Sequence, residues 1–289
     1  MANSYGTYTD AQIMKCLLTK NFTDIGRVFE DDVVTKVKAG AFFQAQNLDR
    51  ITLSAVKDIG EFAFSECGAA TISLPWTEIE AIRLGAFYQC QNEGLPSTVN
   101  FAKVTVLDNM TFAGSSSKPN TWLQSISLPL WTGTTTGHTR FGTGTLSGVF
   151  EYCTALTSVS LPELETVPSR MFQRCSSIQT IILPKCKKLN SSTFQYCSAL
   201  KKVECGGQFT SFPASQFTGC SAIEALILSG LTTVPTLTSG AFSGTRFVNG
   251  GAAYIYVPRS LEATVKVASN WSTYANQIRA IEDYPAICS

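Results

Sequence analysis

Six of the ten cysteines, Cys67, Cys90, Cys153, Cys175, Cys197 and Cys220, each stand three residues after a phenylalanine. Thiols can ligate zinc, pair as disulfides or attack as nucleophiles, so the spacing has to be weighed against each chemistry. No C-x-x-C pair occurs, and ligands drawn from points so far apart would need a dedicated tetrahedral arrangement, so no metal or cofactor is implied. Disulfides are the rival reading. Ala45, Ser115 and Thr245 take the same position after other phenylalanines, which favours reduced, packed thiols. Cys186 and Cys205 fall outside this frame and are the candidate exposed nucleophiles for a thiol-dependent activity. Such an activity needs a base, and the only histidine is His138, in a Gly/Thr-rich stretch. With no G-x-S-x-G, P-loop, H-E-x-x-H or paired-carboxylate motif, the expectation is a protein that is not an enzyme.

The phenylalanines that position these thiols form a repeat. Phe42, Phe64, Phe87, Phe112, Phe150, Phe172, Phe194, Phe217 and Phe242 follow one another at steps of 22, 23, 25, 38, 22, 22, 23 and 25 residues. A unit this short cannot bury its own apolar face, so successive turns of chain must lean on one another in a solenoid. In Leu156-Thr157-Ser158-Val159-Ser160-Leu161 the alternation predicts a strand with Val159 and Leu161 inward and Ser158 and Ser160 outward. Pro162, with no amide hydrogen, stops it. Leu164 and Val167 then anchor a second wall, and Met171-Phe172 closes the coil.

The best copies, among them VFEYCTALTSVSLP from Val149 and MFQRCSSIQTIILP from Met171, give the consensus x-F-x-x-C-x-x-L-x-x-I-x-L-P. This pattern resembles the BspA-type leucine-rich repeat over Ala41 to Pro258. The resemblance implies a mostly β (α+β) solenoid, a right-handed superhelix of about nine coils closed by helical caps. It also implies binding rather than chemistry, because the family includes adhesins and host-protein binders. The divisions expected are an N-terminal cap over 1–40, repeats over 41–258 and a C-terminal cap over 259–289. Thr9-Asp10-Ala11-Gln12 has the form of a capping box ahead of a helix with Ile13, Met14, Leu17 and Leu18 on one stripe. Tyr254–Val257 reads as the last strand, Ser260 opens a helix, and Trp271, Tyr274, Ile278 and Ile281 seal the end. The closing segment from Tyr256 to Tyr284 resembles the terminal module of BspA-type proteins encoded by gut Firmicutes and their phages and prophages.

One step is about 15 residues too long, and the excess falls in an insertion at about 129–147. Insertions in solenoids become loops on one face, and Trp131, His138, Arg140 and Phe141 give this one an aromatic and cationic character suited to a partner. The outward ladder positions form two columns. Arg50, Thr71, Thr98, Ser125, Ser158, Thr180, Lys202, Ala225 and Tyr254 make the first; Thr52, Ser73, Asn100, Ser127, Ser160, Ile182, Glu204, Ile227 and Tyr256 make the second. Hydroxyls dominate at first, then Ile182, Ile227, Tyr254 and Tyr256 turn the face apolar and aromatic and mark a recognition surface, with packing beneath the terminal cap as an equal explanation of the two tyrosines. A net charge of +1 without a Lys/Arg block argues against a nucleic-acid partner, and no apolar run reaches the ~18 residues of a membrane span. The expected partner is a protein or a surface glycan, with a structural or accessory role in a phage virion or tail as the alternative. The N-terminal MANSYGTYTDAQIMKCLL shows no signal-peptide pattern, so the chain is expected in the cytoplasm or in a phage particle, with the cell surface or non-standard secretion as alternatives.

Overall fold

A computed structural model describes residues 27–46, 48–90, 94–133, 148–247 and 251–288. The N-terminal helix expected after Thr9 lies outside them. Each coil contributes one strand of three or four residues to a parallel ladder and, on the opposite wall, a strand of two residues in most coils. Parallel pairing is what a solenoid demands, because each strand is reached by a full turn of chain.

The ladder registers match the sequence columns. Arg50 pairs with Thr71, Thr98 with Ser125, Ser125 with Ser158, Thr180 with Lys202, Lys202 with Ala225 and Ala225 with Tyr254. The nine expected strands are joined by one more at each end. Val28–Asp31 pairs with Arg50–Leu53, inside the stretch assigned to the N-terminal cap, and Ile278–Ala280 pairs with Tyr254–Val257. Ile278 therefore seals the end as a strand residue, reached through a helix we label α1 (Arg259–Val267) and a 3-10 segment, Trp271–Gln277. The ladder runs as three sheets of three, three and five strands, the five-stranded one at the C-terminal end.

Inside, the nine repeat phenylalanines form one continuous column, with neighbouring ring centroids 5.2 to 6.0 Å apart. Phe112 and Phe150, which flank the insertion, are 5.8 Å apart with planes at 9°, so the extra residues leave the column undisturbed. Stacked rings contribute about 0.5–1.5 kcal/mol per pair beyond their buried area. Phe29 meets Phe42 edge-on at one end; Trp271 and Tyr274 meet Phe242 at the other.

The six cysteines form a second column beside the rings, all buried and all free. Each thiol donates to a carbonyl one coil back, from Cys67 Sγ to Ala45 O at 3.6 Å down to Cys197 Sγ to Phe172 O at 2.9 Å. Cysteine suits the site because it fills a small apolar space and still carries a weak donor. Each phenylalanine amide donates the other way, to the residue before the next phenylalanine; Phe172 N to Thr193 O is 3.0 Å.

Left-handed backbone flanks this column. Two residues before the ring, φ is positive at Gly40, Phe62, Gly85, Met110, Arg170, Ser192, Ser215 and Gly240; two residues after, at Gln44, Glu66, Gln89, Tyr152, Arg174, Tyr196, Gly219 and Gly244. Two reversals around one residue let the chain dip inward, deposit the ring and return.

Candidate functional site

The outward ladder face changes character along its length. Thr71, Ser73, Thr98, Asn100, Ser158, Ser160 and Thr180 are exposed, and this hydroxyl-lined part has no covering element among the described residues. At the C-terminal end the chain covers itself. After Ile278–Ala280 it turns through Ile281–Asp283 into a four-residue helix, α2 (Pro285–Cys288), lying against the ladder. Lys202 Nζ donates to Ile287 O at 2.9 Å and tethers it there. Beneath this tail Ala225, Ile227 and Tyr256 form a small apolar cluster of their own, packed against Tyr254, Ile281 and Cys288.

Beside the tail lies a hollow of about 640 Å³. Its floor is Ala225, whose methyl group sits in register between the longer Lys202 and Tyr254 and so leaves room. Lys201 and Glu224 occupy one frame position on successive coils, just before their strands, and line one side. Tyr254, Tyr256 and Arg279 form the opposite side, Arg246 and Ala252 reach in from the preceding turn, and Tyr284, Ala286 and Ile287 of the tail complete it. Four cationic side chains thus face one carboxylate, Glu224.

The cations are held differently. The Arg279 guanidinium stacks 4.7 Å from the centroid of Tyr254 and donates through Nη1 to the carbonyls of Asn276 and Ile278. Lys202, besides its bond to the tail, lies 3.6 Å from Glu204. Among the described residues, Lys201 and Arg246 have no ion-pair partner. Burial, chiefly, pushes the Tyr256 phenol above its ordinary value, so it stays a neutral hydroxyl, 5.4 Å ring to ring from Tyr284.

The sequence profile of the BspA type leucine rich repeat region matches six copies over residues 15–131 and 146–251, well over half of the chain. The chain belongs to the BspA-type leucine-rich repeat family. No curated protein matches it. Among solved structures, this BspA-type protein is similar to a leucine rich repeat protein of T. pallidum: 18% identity, 83% of this chain and 81% of that one covered, TM-score 0.33. A leucine rich cell surface protein of Faecalibacterium prausnitzii matches at 19% identity, with 90% and 80% covered and a TM-score of 0.37. A leucine-rich repeat protein of Bacteroides ovatus matches at 16%, with 88% and 83% covered and a TM-score of 0.35.

Within the BspA-type coil several expected contact residues are placed differently from the sequence reading. Trp131 is fully buried, a core side chain at the root of the insertion, so its ring is not available to a partner. Ile227 and Tyr256 are also buried, because the tail folds over them; the cap explanation of these aromatics holds for Tyr256. Ile182 is 48% exposed on the open ladder face, and Tyr254 is half-buried in the wall of the hollow. His138, Arg140 and Phe141 lie outside the described residues. Cys186 and Cys205 are buried instead of exposed, and the Cys205 thiol is raised well above its ordinary value by its bond to Cys186 and by burial, so neither is an accessible nucleophile. The sequence reading missed Lys201, Glu224, Arg246, Arg279 and Tyr284. The first two carried a signal: both put a charge immediately before the outward column.

Among the described residues no group of three or more His, Cys, Asp or Glu could hold a metal ion. No helix among them is long and apolar enough to cross a membrane.

Proposed function

We propose that this protein is a non-enzymatic recognition protein that binds a protein or a surface glycan through the outward face of its ladder, with the C-terminal hollow as the principal contact. BspA-type solenoids are in general binding scaffolds without catalysis. The observation that carries the reading is the hollow itself: a concave site of ligand size, lined by tyrosines and by cations of which Lys201 and Arg246 have no ion-pair partner among the described residues, on a ladder face rich in hydroxyls. A face built on paired strands loses little conformational freedom on binding, so affinity comes from a few anchors on a preformed surface.

The test uses fluorescently labelled full-length protein on bacterial and epithelial cell surfaces, read by flow cytometry. Wild-type protein is expected to bind, and the paired change Arg246→Glu with Tyr254→Ala to abolish most of that binding while thermal stability is kept. Equal binding by the variant would move the contact away from the hollow, and no binding to any surface would refute recognition.

A further inference from the structure

Resting on the recognition reading, we infer that the C-terminal hollow is a binding site for an acidic sugar residue, a saccharide ring that carries a carboxylate. Three features of the hollow agree on this class and not on neighbouring ones.

The first is charge. Lys201 and Arg246 have no ion-pair partner among the described residues, and Arg279, stacked on Tyr254, makes its side-chain hydrogen bonds among those residues through Nη1 alone, which leaves other N–H groups for a ligand. A guanidinium matches a carboxylate with two parallel hydrogen bonds, and an ammonium adds a point charge beside it. A site with this surplus selects an anion.

The second is Glu224. A carboxylate among the cations repels a polyanion such as a phosphate chain, yet it accepts hydrogen bonds from hydroxyls. A ligand with one negative group and several hydroxyls satisfies both signs of the site. A nucleic acid does not, and the net charge of +1 gives no long-range attraction to one.

The third is the apolar part of the lining. Tyr254, its ring already backed by Arg279, and Tyr284 present aromatic surface next to Ala225 and Ile287. The C–H face of a sugar ring is weakly positive and lies well on an aromatic face, whose quadrupole is negative. A volume of about 640 Å³ admits a ligand of one to a few rings. An acidic peptide would use the cations but has no comparable need for flat aromatic surface and a hydroxyl acceptor together.

Titration calorimetry of the full chain at physiological salt decides it, using a galacturonic acid trisaccharide, the neutral galactose trisaccharide, inorganic phosphate and an acidic hexapeptide. The acidic trisaccharide is expected to bind, and the neutral one at least about tenfold more weakly, the loss corresponding to one desolvated charge contact. Lys201→Ala with Arg246→Ala should lower affinity for the acidic sugar by about tenfold or more, and Tyr254→Leu should weaken both sugars, with melting curves unchanged in each. Affinity for the hexapeptide equal to that for the acidic sugar, displacement of the sugar by phosphate at comparable concentration, or no heat with any probe would each overturn the assignment. The two readings fail separately: protein that still coats cells stripped enzymatically of acidic sugars, while ignoring the trisaccharide, would remain a recognition protein without this site, whereas protein that coats no cell surface would overturn the broader reading.

Discussion

Cys197 Sγ lies 2.9 Å from the carbonyl oxygen of Phe172, 25 residues earlier in the chain. The same bond recurs between Cys175 and Phe150 and between Cys220 and Phe194, so the thiol column ties each coil to the one before it.

The column makes stability sensitive to alkali. Burial raises Cys67 to about 11 and Cys220 to about 12, from an ordinary 9.0, and holds the thiols between them well above it. With folded-state values raised, the contribution is complete below pH about 9 and is lost as pH rises toward 11 or 12, because the unfolded chain gives up its protons first. Each thiol costs up to about 1.4 kcal/mol per pH unit across that window. Melting temperature should fall steeply above pH 9, and less steeply in Cys67→Ala with Cys220→Ala. Parallel profiles for the two proteins would remove the thiols as the cause.

Removing one ring from the phenylalanine column should be severe. Phe172 is fully buried between Phe150 and Phe194, at 5.7 and 6.0 Å. Phe172→Ala is expected to cost about 3–5 kcal/mol in urea unfolding, through lost burial and the cavity left behind. In a chain of nearest-neighbour contacts the break should also separate the two halves, lowering the slope of the unfolding transition. A loss under about 1 kcal/mol would mean that the coils collapse around the gap.

The left-handed positions give a contrast of sign. Ser192 holds φ 58° at the cost an L side chain meets there, so Ser192→Gly should be neutral or stabilising by up to about 1 kcal/mol. Gly219, at φ 78°, lies under the Tyr196 ring, and a Cβ there would come 2.5 Å from it. Gly219→Ala should destabilise by about 1–3 kcal/mol. Thermal melts that rank the two changes in the opposite order would contradict the geometry.

Truncation before Tyr284 should uncover Ala225, Ile227 and Tyr256 and free Lys202 from Ile287 O. The expected readout is stronger binding of a hydrophobic dye with far-ultraviolet circular dichroism almost unchanged. Unaltered dye binding would show that the tail does not shield this cluster.

Much of the fold is legible in the sequence because the repeat is written many times over. The Phe-to-Cys spacing and the alternation of Ser158-Val159-Ser160 reproduce the rings, the thiols and the ladder register. Both end strands escaped because they lack the frame: Val28–Asp31 precedes the first repeat phenylalanine, and Ile278–Ala280 follows a helix. The left-handed residues escaped because Gln44, Arg174 and Tyr196 are forced there by the coil, although Gly85, Gly219 and Gly240 at equivalent positions carried the signal. The hollow was hardest to see, since Arg246, Arg279 and Tyr284 come from three separate segments that only folding brings together. Trp131 is buried against expectation, and Tyr256 is decided in favour of the cap, for a single reason: an aromatic at an outward or loop position is open to a partner only if the rest of the chain leaves it uncovered.

The ladder's division into sheets of three, three and five strands sets where the stack should open first. A strand inside a sheet is held on both sides, and the five-stranded sheet has three such strands while each three-stranded sheet has one. Hydrogen exchange is therefore expected to be slowest in the middle strands of the five-stranded sheet and fastest at the ends of the shorter ones.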